Sequence, residues 1–490
     1  MGHASDLEKK SFHNILKVTG LIGGTKVINV IINMAKTKIL AVLLGPFGIG
    51  LEGLLLSTTN LMSTFTGLGL NFSAVREIAI ANGTRNPEIV SKTILILRRW
   101  MWFTGIIGML ALIVLAKQLS FYSFGNFNYV NHIRILSITL LFGAISGGQS
   151  ALLQGLRRIK DMAKSSITGV ITGFIISITL YLIWGIDAIV PVILLNSLAI
   201  LYRTWWYSRK VRIVKVVLSL KETFFGGISM LKLGLYKMGV GFIGKGTNYL
   251  IMVYLAKSTN IHATGFFKAS WVLAAIYLNF VLDAMSKDFY PKLSAVQNNF
   301  HLINKMVNEQ AVVALLLGGP IIVIMLTFTD FIIVLLYSSD FLEMSSLLSI
   351  LVFATIFKLV SWPLGYVLIA KGNGPLFLIS EIIWQFSFLI FFYLTFDNLG
   401  LISAGISYLI AFIVNIIFLH FTLKYLIKFK WDNNVIKHFT FFFICTIIVF
   451  FGSILLAKLN SYMLGSFFIS LSLFYSYIEL NKLIDIKNIL

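Results

Sequence analysis

The sequence predicts an all-α polytopic membrane protein, and three observations lead there. Hydrophobic side chains make up 58% of the 490 residues and charged ones only 12%, about half the roughly 25% of a soluble domain. The apolar residues gather in runs long enough to cross ~30 Å of hydrocarbon. The basic residues fall between those runs and alternate in number from one connection to the next. The mean hydropathy of +0.89 excludes a cytosolic enzyme, a disordered chain and a secreted disulfide scaffold, none of which could hide so much apolar surface. The single cysteine, Cys445, leaves no intramolecular disulfide and no cysteine metal cluster.

Fourteen runs qualify as spans. The first six are Asn14–Leu43, Gly48–Ser73, Met101–Ala116, Ile135–Leu156, Ser166–Trp184 and Ala188–Ser208. The next six are Ser229–Ala256, Thr264–Ser286, Ala311–Tyr337, Leu342–Ala370, Leu376–Thr395 and Leu401–Phe421. His438–Ala457 and Leu464–Glu479 complete the set. Only the turn Gly45-Pro46-Phe47-Gly48 separates the first two; glycine stops one helix and proline opens the next.

An even number of spans places both termini on one side. Of the 40 basic residues, 28 then lie on the side of the termini, six on the other and six within spans. The excess marks the terminal side as cytoplasmic and predicts a multi-pass membrane protein with both termini cytoplasmic. Lys36 and Lys38 count here at the outer end of the first span. The N-terminal apolar run continues past signal-peptide length without a small-residue cleavage site, so it reads as a retained span. The longest outer connection, Lys117 to Arg134, is too short for a domain.

The organisation expected from these spans is an N-terminal six-helix lobe (1–208), a basic cytoplasmic connector (209–228), a C-terminal six-helix lobe (229–425) and an additional helix pair with a tail (426–490). In the connector Arg212, Lys215 and Ser219 would share one helical face, and Val211, Val214, Val217 and Leu218 another. That suits an interfacial amphipathic helix on anionic headgroups; an ordinary basic loop fits nearly as well. Both lobes hold a long span, a short outer turn and a span opening with glycine and a charge (Gly50-Leu51-Glu52; Gly265-Phe266-Phe267-Lys268). Pseudo-symmetric lobes around a central cavity are a common transporter plan.

Phosphate-loop, zincin and nucleophile-elbow motifs are absent, so ATP-driven or metal-dependent chemistry is not expected. The net charge of +21 would suggest nucleic acid in a soluble chain, but here topology or an anionic passenger accounts for it. The informative residues are polar ones inside spans. Lys26, Asn29, Asn33 and Lys36 form one stripe of the first span, and Glu52, Thr59, Ser63 and Thr66 one of the second. Gly234, Lys237, Gly241, Lys245 and Asn248 line a face of the seventh. Lys268, Trp271, Ala275, Asn279 and Asp283 line a face of the eighth. Lys358 with Ser361 and Gly365 marks the tenth, and Glu381 with Gln385 the eleventh.

A lysine at the bilayer centre costs about 2.5–3.5 kcal/mol, so five facing lipid would cost more than ~10 kcal/mol, comparable with a whole folding stability. These lysines therefore belong in a wet cavity or beside carboxylates. They outnumber Glu52, Asp283 and Glu381, which leaves a cavity that attracts anions. Blander readings stand beside this one. Lys17 reads as an interface residue, and Lys36, Lys38 and Lys268 have snorkelling as an equal alternative. Glu381 could neutralise Lys358 as a structural pair, and glycine-rich faces often serve close packing.

Several runs resemble a known family. Lys38-Ile39-Leu40-Ala41-Val42-Leu43-Leu44-Gly45-Pro46-Phe47-Gly48-Ile49-Gly50-Leu51 is similar to the start of Wzx-type O-antigen translocases, lipid-linked oligosaccharide flippases of the multidrug/oligosaccharidyl-lipid/polysaccharide (MOP) exporter superfamily. Gln154-Gly155-Leu156-Arg157-Arg158-Ile159-Lys160-Asp161 is similar to the family's fourth-to-fifth connection. Lys358, Gly365-Tyr366-Val367-Leu368-Ile369-Ala370-Lys371, Glu381 and Gln385 are similar to its tenth and eleventh spans. The likeness runs from about Leu16 to Tyr425. It implies two six-helix lobes in a V-shaped, MATE-like arrangement with a cationic lumen. It also implies flipping of undecaprenyl-diphosphate-linked oligosaccharide, of O-antigen or enterobacterial common antigen type, to the periplasmic leaflet by alternating access. Lys38, Lys358 and Glu381 match family-like positions. The final helix pair departs from the family's usual twelve spans, although the related peptidoglycan-precursor flippases also have fourteen.

The expected diphosphate-binding set is therefore Lys26, Lys38, Lys237, Lys245, Lys268 and Lys358, with Lys26, Lys245 and Lys358 foremost. Asn29, Asn33, Asn248, Asn279 and Gln385 would supply lumen polarity, and Glu52, Asp283 or Glu381 a site for a coupling cation. No catalytic residue, metal or cofactor is expected; H+, Na+ or the membrane potential is the available driver. The expected partners are the lipid-linked oligosaccharide and membrane lipids, with a polysaccharide polymerase and chain-length regulator as candidate associates. The competing readings are a drug or cation exporter of the same superfamily and a polytopic polysaccharide polymerase or glycosyltransferase. The polymerase reading lacks the large outer loop that such enzymes present.

Overall fold

A computed structural model describes residues 2–483, with side chains from Gly24 onward apart from Lys26 and a few positions in the seventh and eighth helices. Fifteen helices and no strand form among the described residues. Nine stretches of them are long and apolar enough to cross a membrane. Three of those stretches hold two helical arms each, parted at Gly45, Gly185 and Gly400. Two further helices, of 39 and 35 residues, are long enough to cross although polar side chains interrupt them. The total of about fourteen crossings agrees with the sequence.

By internal contacts the chain divides into unit 1, Met1–His262, and unit 2, Ala263–Leu490. Unit 1 holds α1 (Gly2–Thr66), α2 (Leu70–Gly83), α3 (Pro87–Phe124), α4 (Val130–Gly155), α5 (Ile159–Trp184), α6 (Ile189–Ser208) and α7 (Leu220–Ser258). The division thus falls one helix later than the sequence division at 228/229, because α7 packs on α1, α2 and α3. Arg99 Nη1 donates to the Leu218 carbonyl (2.9 Å) and Thr223 Oγ1 (2.6 Å), and Trp100 Nε1 donates to the Thr223 carbonyl (3.1 Å).

Gly45 breaks α1 with φ 61° and ψ −171°, a backbone conformation open to glycine, and Pro46 begins the second arm. The expected second span to Ser73 is corrected: its helix stops at Thr66 and restarts as α2 at Leu70. The break lets Gly69, at φ 64°, meet the backbone of Gly234 on α7, where a Cβ on either residue would collide with the other strand of chain. Gly234 therefore serves packing.

The amphipathic helix considered for the connector does not form; residues 212–219 have no regular structure. Valine and isoleucine at 211, 213, 214, 216 and 217 are stiff at χ1 and disfavour helix. The backbone finds other partners, with Val214 N donating to Ser91 Oγ at 3.0 Å. Val211 and Ile213 pack instead on a core of Ile78, Leu97, Met101 and Leu152.

Unit 2 comprises α8 (Ile261–Ala295, whose first two residues fall in unit 1), α9 (Phe300–Thr327), α10 (Thr329–Leu336), α11 (Ser345–Ala370), α12 (Gly374–Leu399), α13 (Ser403–Ile427), α14 (Asn433–Leu455) and α15 (Lys458–Leu483). The expected ninth span is two helices, parted at Phe328. Helix α9 is central: α11, α14 and α15 all pack on it. Gly318 admits Leu359 of α11, and Gly319 admits the Phe442 ring of α14. The last helix pair is thereby built into unit 2, with Lys458 Nζ 3.3 Å from the Asp330 carboxylate.

Candidate functional site

The polar residues of each unit gather into a cavity of its own. In unit 2 a cavity of about 440 Å³ is lined by Lys358, Ser361 and Tyr366 of α11, Glu381 and Trp384 of α12, Tyr408 and Asn415 of α13, and Trp271 and Asn279 of α8. Helical spacing sets each contribution: 358, 361 and 365 share a face of α11, as do 381 and 384 on α12 and 408, 412 and 415 on α13.

Lys358 Nζ donates to Asn279 Oδ1 at 3.1 Å, and the charges of Asp283 and Glu381 both act on it. Lys358 lines the cavity, and an ammonium has three N–H donors, so the bond to Asn279 leaves it donor capacity. Trp384 Nε1 and Asn415 Oδ1 are buried and have no hydrogen-bond partner among the described residues. Buried polar atoms normally find partners, so these two stand out among the residues of the cavity lining. Trp271 stacks on Phe388 at 5.7 Å and meets Tyr408 edge-on at 5.1 Å, which fixes the aromatic wall. An ammonium, a carboxylate, an amide and aromatic faces together suit a molecule with an anionic end and an amphipathic body.

In unit 1 a cavity of about 490 Å³ is lined by Asn33 and Lys36 of α1, Ser166, Gly169 and Gly173 of α5, and Asn196 and Arg203 of α6. Arg203 is only 9% exposed and donates to the Thr168 carbonyl at 2.8 Å. A Cβ at Gly169 would lie in ordinary van der Waals contact with its guanidinium at 3.4 Å. Asn29 Nδ2 donates to Ser166 Oγ at 2.7 Å, near the beginning of α5. Lys36 thus lines the same cavity as Gly173 and Asn196. Among the described residues no carboxylate or aromatic side chain lines this cavity.

The remaining expected residues are distributed along the helices. Lys245 is exposed on α7 and donates to Thr64 Oγ1 of α1 at 2.7 Å. Lys237 is exposed, with Nζ 5.7 Å from the Phe72 ring. Lys38 and Lys268 are half-buried, Asp283 is exposed, and Gln385 is buried with Oε1 unpartnered among the described residues. Asn248 turns back toward the Gly244 carbonyl at 3.4 Å. Glu52 faces the Tyr181 hydroxyl of α5. The side chain of Lys26 lies outside the described residues.

Sequence reasoning missed Arg203, which counted only toward the charge bias, and Asn196, Trp384, Tyr408 and Asn415. A face of α13 with Tyr408, Phe412 and Asn415 at steps of four and three was the readable signal for the last group.

Comparison with known proteins follows the same lines. The lipid III flippase of Escherichia coli (strain K12) is 22% identical over 381 residues, 77% of this chain and 90% of that protein. The inward-closed structure of the lipid II flippase MurJ matches with a TM-score of 0.67 at 16% identity, over 93% of this chain and 98% of that one. An inward-facing multidrug resistance MATE family transporter of the MOP superfamily also gives 0.67, at 15% identity, over 82% of this chain and 94% of that one. These structural likenesses show a MOP-type transporter fold. The family described as polysaccharide biosynthesis protein matches residues 39–346, well over half of the chain. The chain belongs to that polysaccharide biosynthesis protein family.

Proposed function

We propose that this protein is a flippase that moves an undecaprenyl-diphosphate-linked oligosaccharide, of O-antigen or enterobacterial common antigen type, from the cytoplasmic to the periplasmic leaflet. The observation that carries this reading is Lys358 in its aromatic cavity. An ammonium hydrogen-bonded to Asn279 can hold phosphate oxygens, while Trp384, Asn415 and the ring faces receive sugar hydroxyls and C–H surfaces. The likeness to the lipid III flippase supports the lipid-linked class. The protein then works as a transporter, breaking no bond of its passenger.

In this reading Lys358 holds the diphosphate as the protein alternates access, Lys26 and Lys245 are further candidates for phosphate contact, and the polyprenyl chain stays in the bilayer. Glu52, Asp283 or Glu381 takes a coupling cation, or the membrane potential supplies about 2.3 kcal/mol per elementary charge per 100 mV. Both termini face the cytoplasm, as the charge bias requires.

Lys358→Ala and Lys245→Ala in a strain lacking the native protein should each leave membrane abundance intact. Each should also cause lipid-linked oligosaccharide to accumulate on the cytoplasmic face. Full transport by both variants would overturn the assignment. A second reading, export of an organic cation, draws on Glu381 in the aromatic cavity and on the MATE-like fold. Binding of organic cations in preference to a lipid-diphosphate sugar by the purified protein would favour it.

A further inference from the structure

A third cavity, of about 800 Å³, lies in unit 1 among α3, α4, α6 and the connector residues Val211 and Ile213. Its size falls within the roughly 300–1,000 Å³ of small-molecule sites. The walls are apolar, with Leu97, Met101, Phe142, Ile145 and Leu201 prominent. Polar character is confined to few side chains. Gln149 already accepts a hydrogen bond from Thr204 Oγ1 at 2.6 Å, which leaves the guanidiniums of Arg98 and Arg209.

No carboxylate lines this cavity, and neither arginine is ion-paired among the described residues. Arg209 is held over the rings of Trp206 and Trp205, at 3.7 and 4.8 Å from their centroids. The cavity edge carries Trp102 and Tyr202, 51% and 57% exposed, the aromatic type that settles at the headgroup level of a bilayer. The arginines belong to the end of unit 1 that the charge bias assigns to the cytoplasm, where anionic headgroups are met.

The geometry points to a binding site for an anionic glycerophospholipid, its phosphate on Arg98 and Arg209 and an acyl chain against the apolar walls. Charge complementarity selects the headgroup: a zwitterionic lipid brings its own cation up against two guanidiniums, and a free phosphate makes no use of the apolar slot. Because Val211 and Ile213 line the same cavity, the lipid would brace the connector between α6 and α7. This inference stands apart from the passenger assigned to Lys358.

The test is thermal unfolding of the full-length protein in detergent, titrated with phosphatidylglycerol, phosphatidylcholine or inorganic phosphate. Phosphatidylglycerol alone should raise the midpoint. Arg98→Gln/Arg209→Gln should weaken its apparent affinity roughly thirtyfold, from about 1 kcal/mol per basic residue. Ile145→Trp, which fills the wall and keeps both arginines, should lose the same response and serves if the double variant does not accumulate. An unchanged response in these variants, equal protection by phosphatidylcholine or phosphate, or displacement of phosphatidylglycerol by undecaprenyl diphosphate would each overturn the assignment.

Discussion

The polar cavities of units 1 and 2 are alike in size, about 490 and 440 Å³, and differ in chemistry. In unit 1 Lys36 and Arg203 stand among small residues, hydroxyls and amides, with neither an acid nor a ring among the described residues of the lining. In unit 2 one lysine shares its cavity with Glu381 and a wall of tryptophan and tyrosine. The first arrangement offers positive charge without shape; the second offers charge, a counter-charge and flat apolar faces. On the proposed function, discriminating recognition of the passenger would fall to unit 2.

Four experiments would break or sharpen this contrast. The largest effect is expected from Lys358→Ala, because a charge-assisted hydrogen bond is worth about 1.5–3 kcal/mol, or roughly tenfold to a hundredfold in transport rate. Transport measured in proteoliposomes should show that loss. An equal loss in Arg203→Ala would erase the distinction between the cavities. Trp384→Ala should come next, with passenger affinity reduced about tenfold through lost ring contact and the lost Nε1 donor, as read by equilibrium binding. Trp384→Phe should recover part of it.

Arg203→Ala should act mainly on stability. Removing the charged donor to the Thr168 carbonyl should cost about 1.5–3 kcal/mol in reversible denaturation, with transport changed less than in Lys358→Ala. The smallest effect concerns the start of α7. Ser219 and Glu222 form a capping box, with Glu222 Oε2 accepting from Ser219 N at 2.7 Å. Ser219→Ala should lower stability by about 1 kcal/mol. The bonds from the Ser219 backbone and hydroxyl hold the Glu222 carboxyl below its ordinary range. Its contribution is therefore present above the ordinary carboxylate range and lost as pH falls through the lowered value. Glu222→Gln should flatten that acid-side loss in a stability–pH profile.

Much of this was legible in the sequence for local reasons. Span existence follows from apolar run length, and the Gly45-Pro46 break from a φ/ψ pair that suits glycine followed by a proline that opens the next arm. Lys358, Asn279 and Glu381 stood out because each is a polar group on an otherwise apolar helix. The connector was misjudged because hydrophobic periodicity over ten residues cannot register Ser91 and Arg99, more than a hundred positions away, which engage its backbone.

The sequence by itself determined that this chain lives in a membrane, roughly where its spans lie, and which side chains are too polar for lipid. Tertiary structure alone decided which of those side chains meet. Asn33 joins Arg203, and Asn279 joins Lys358 and Asn415, across separations that no periodicity encodes. The physical reason is one of range: burial of an apolar helix is set residue by residue, whereas the charge balance of a cavity depends on which helix faces pack together.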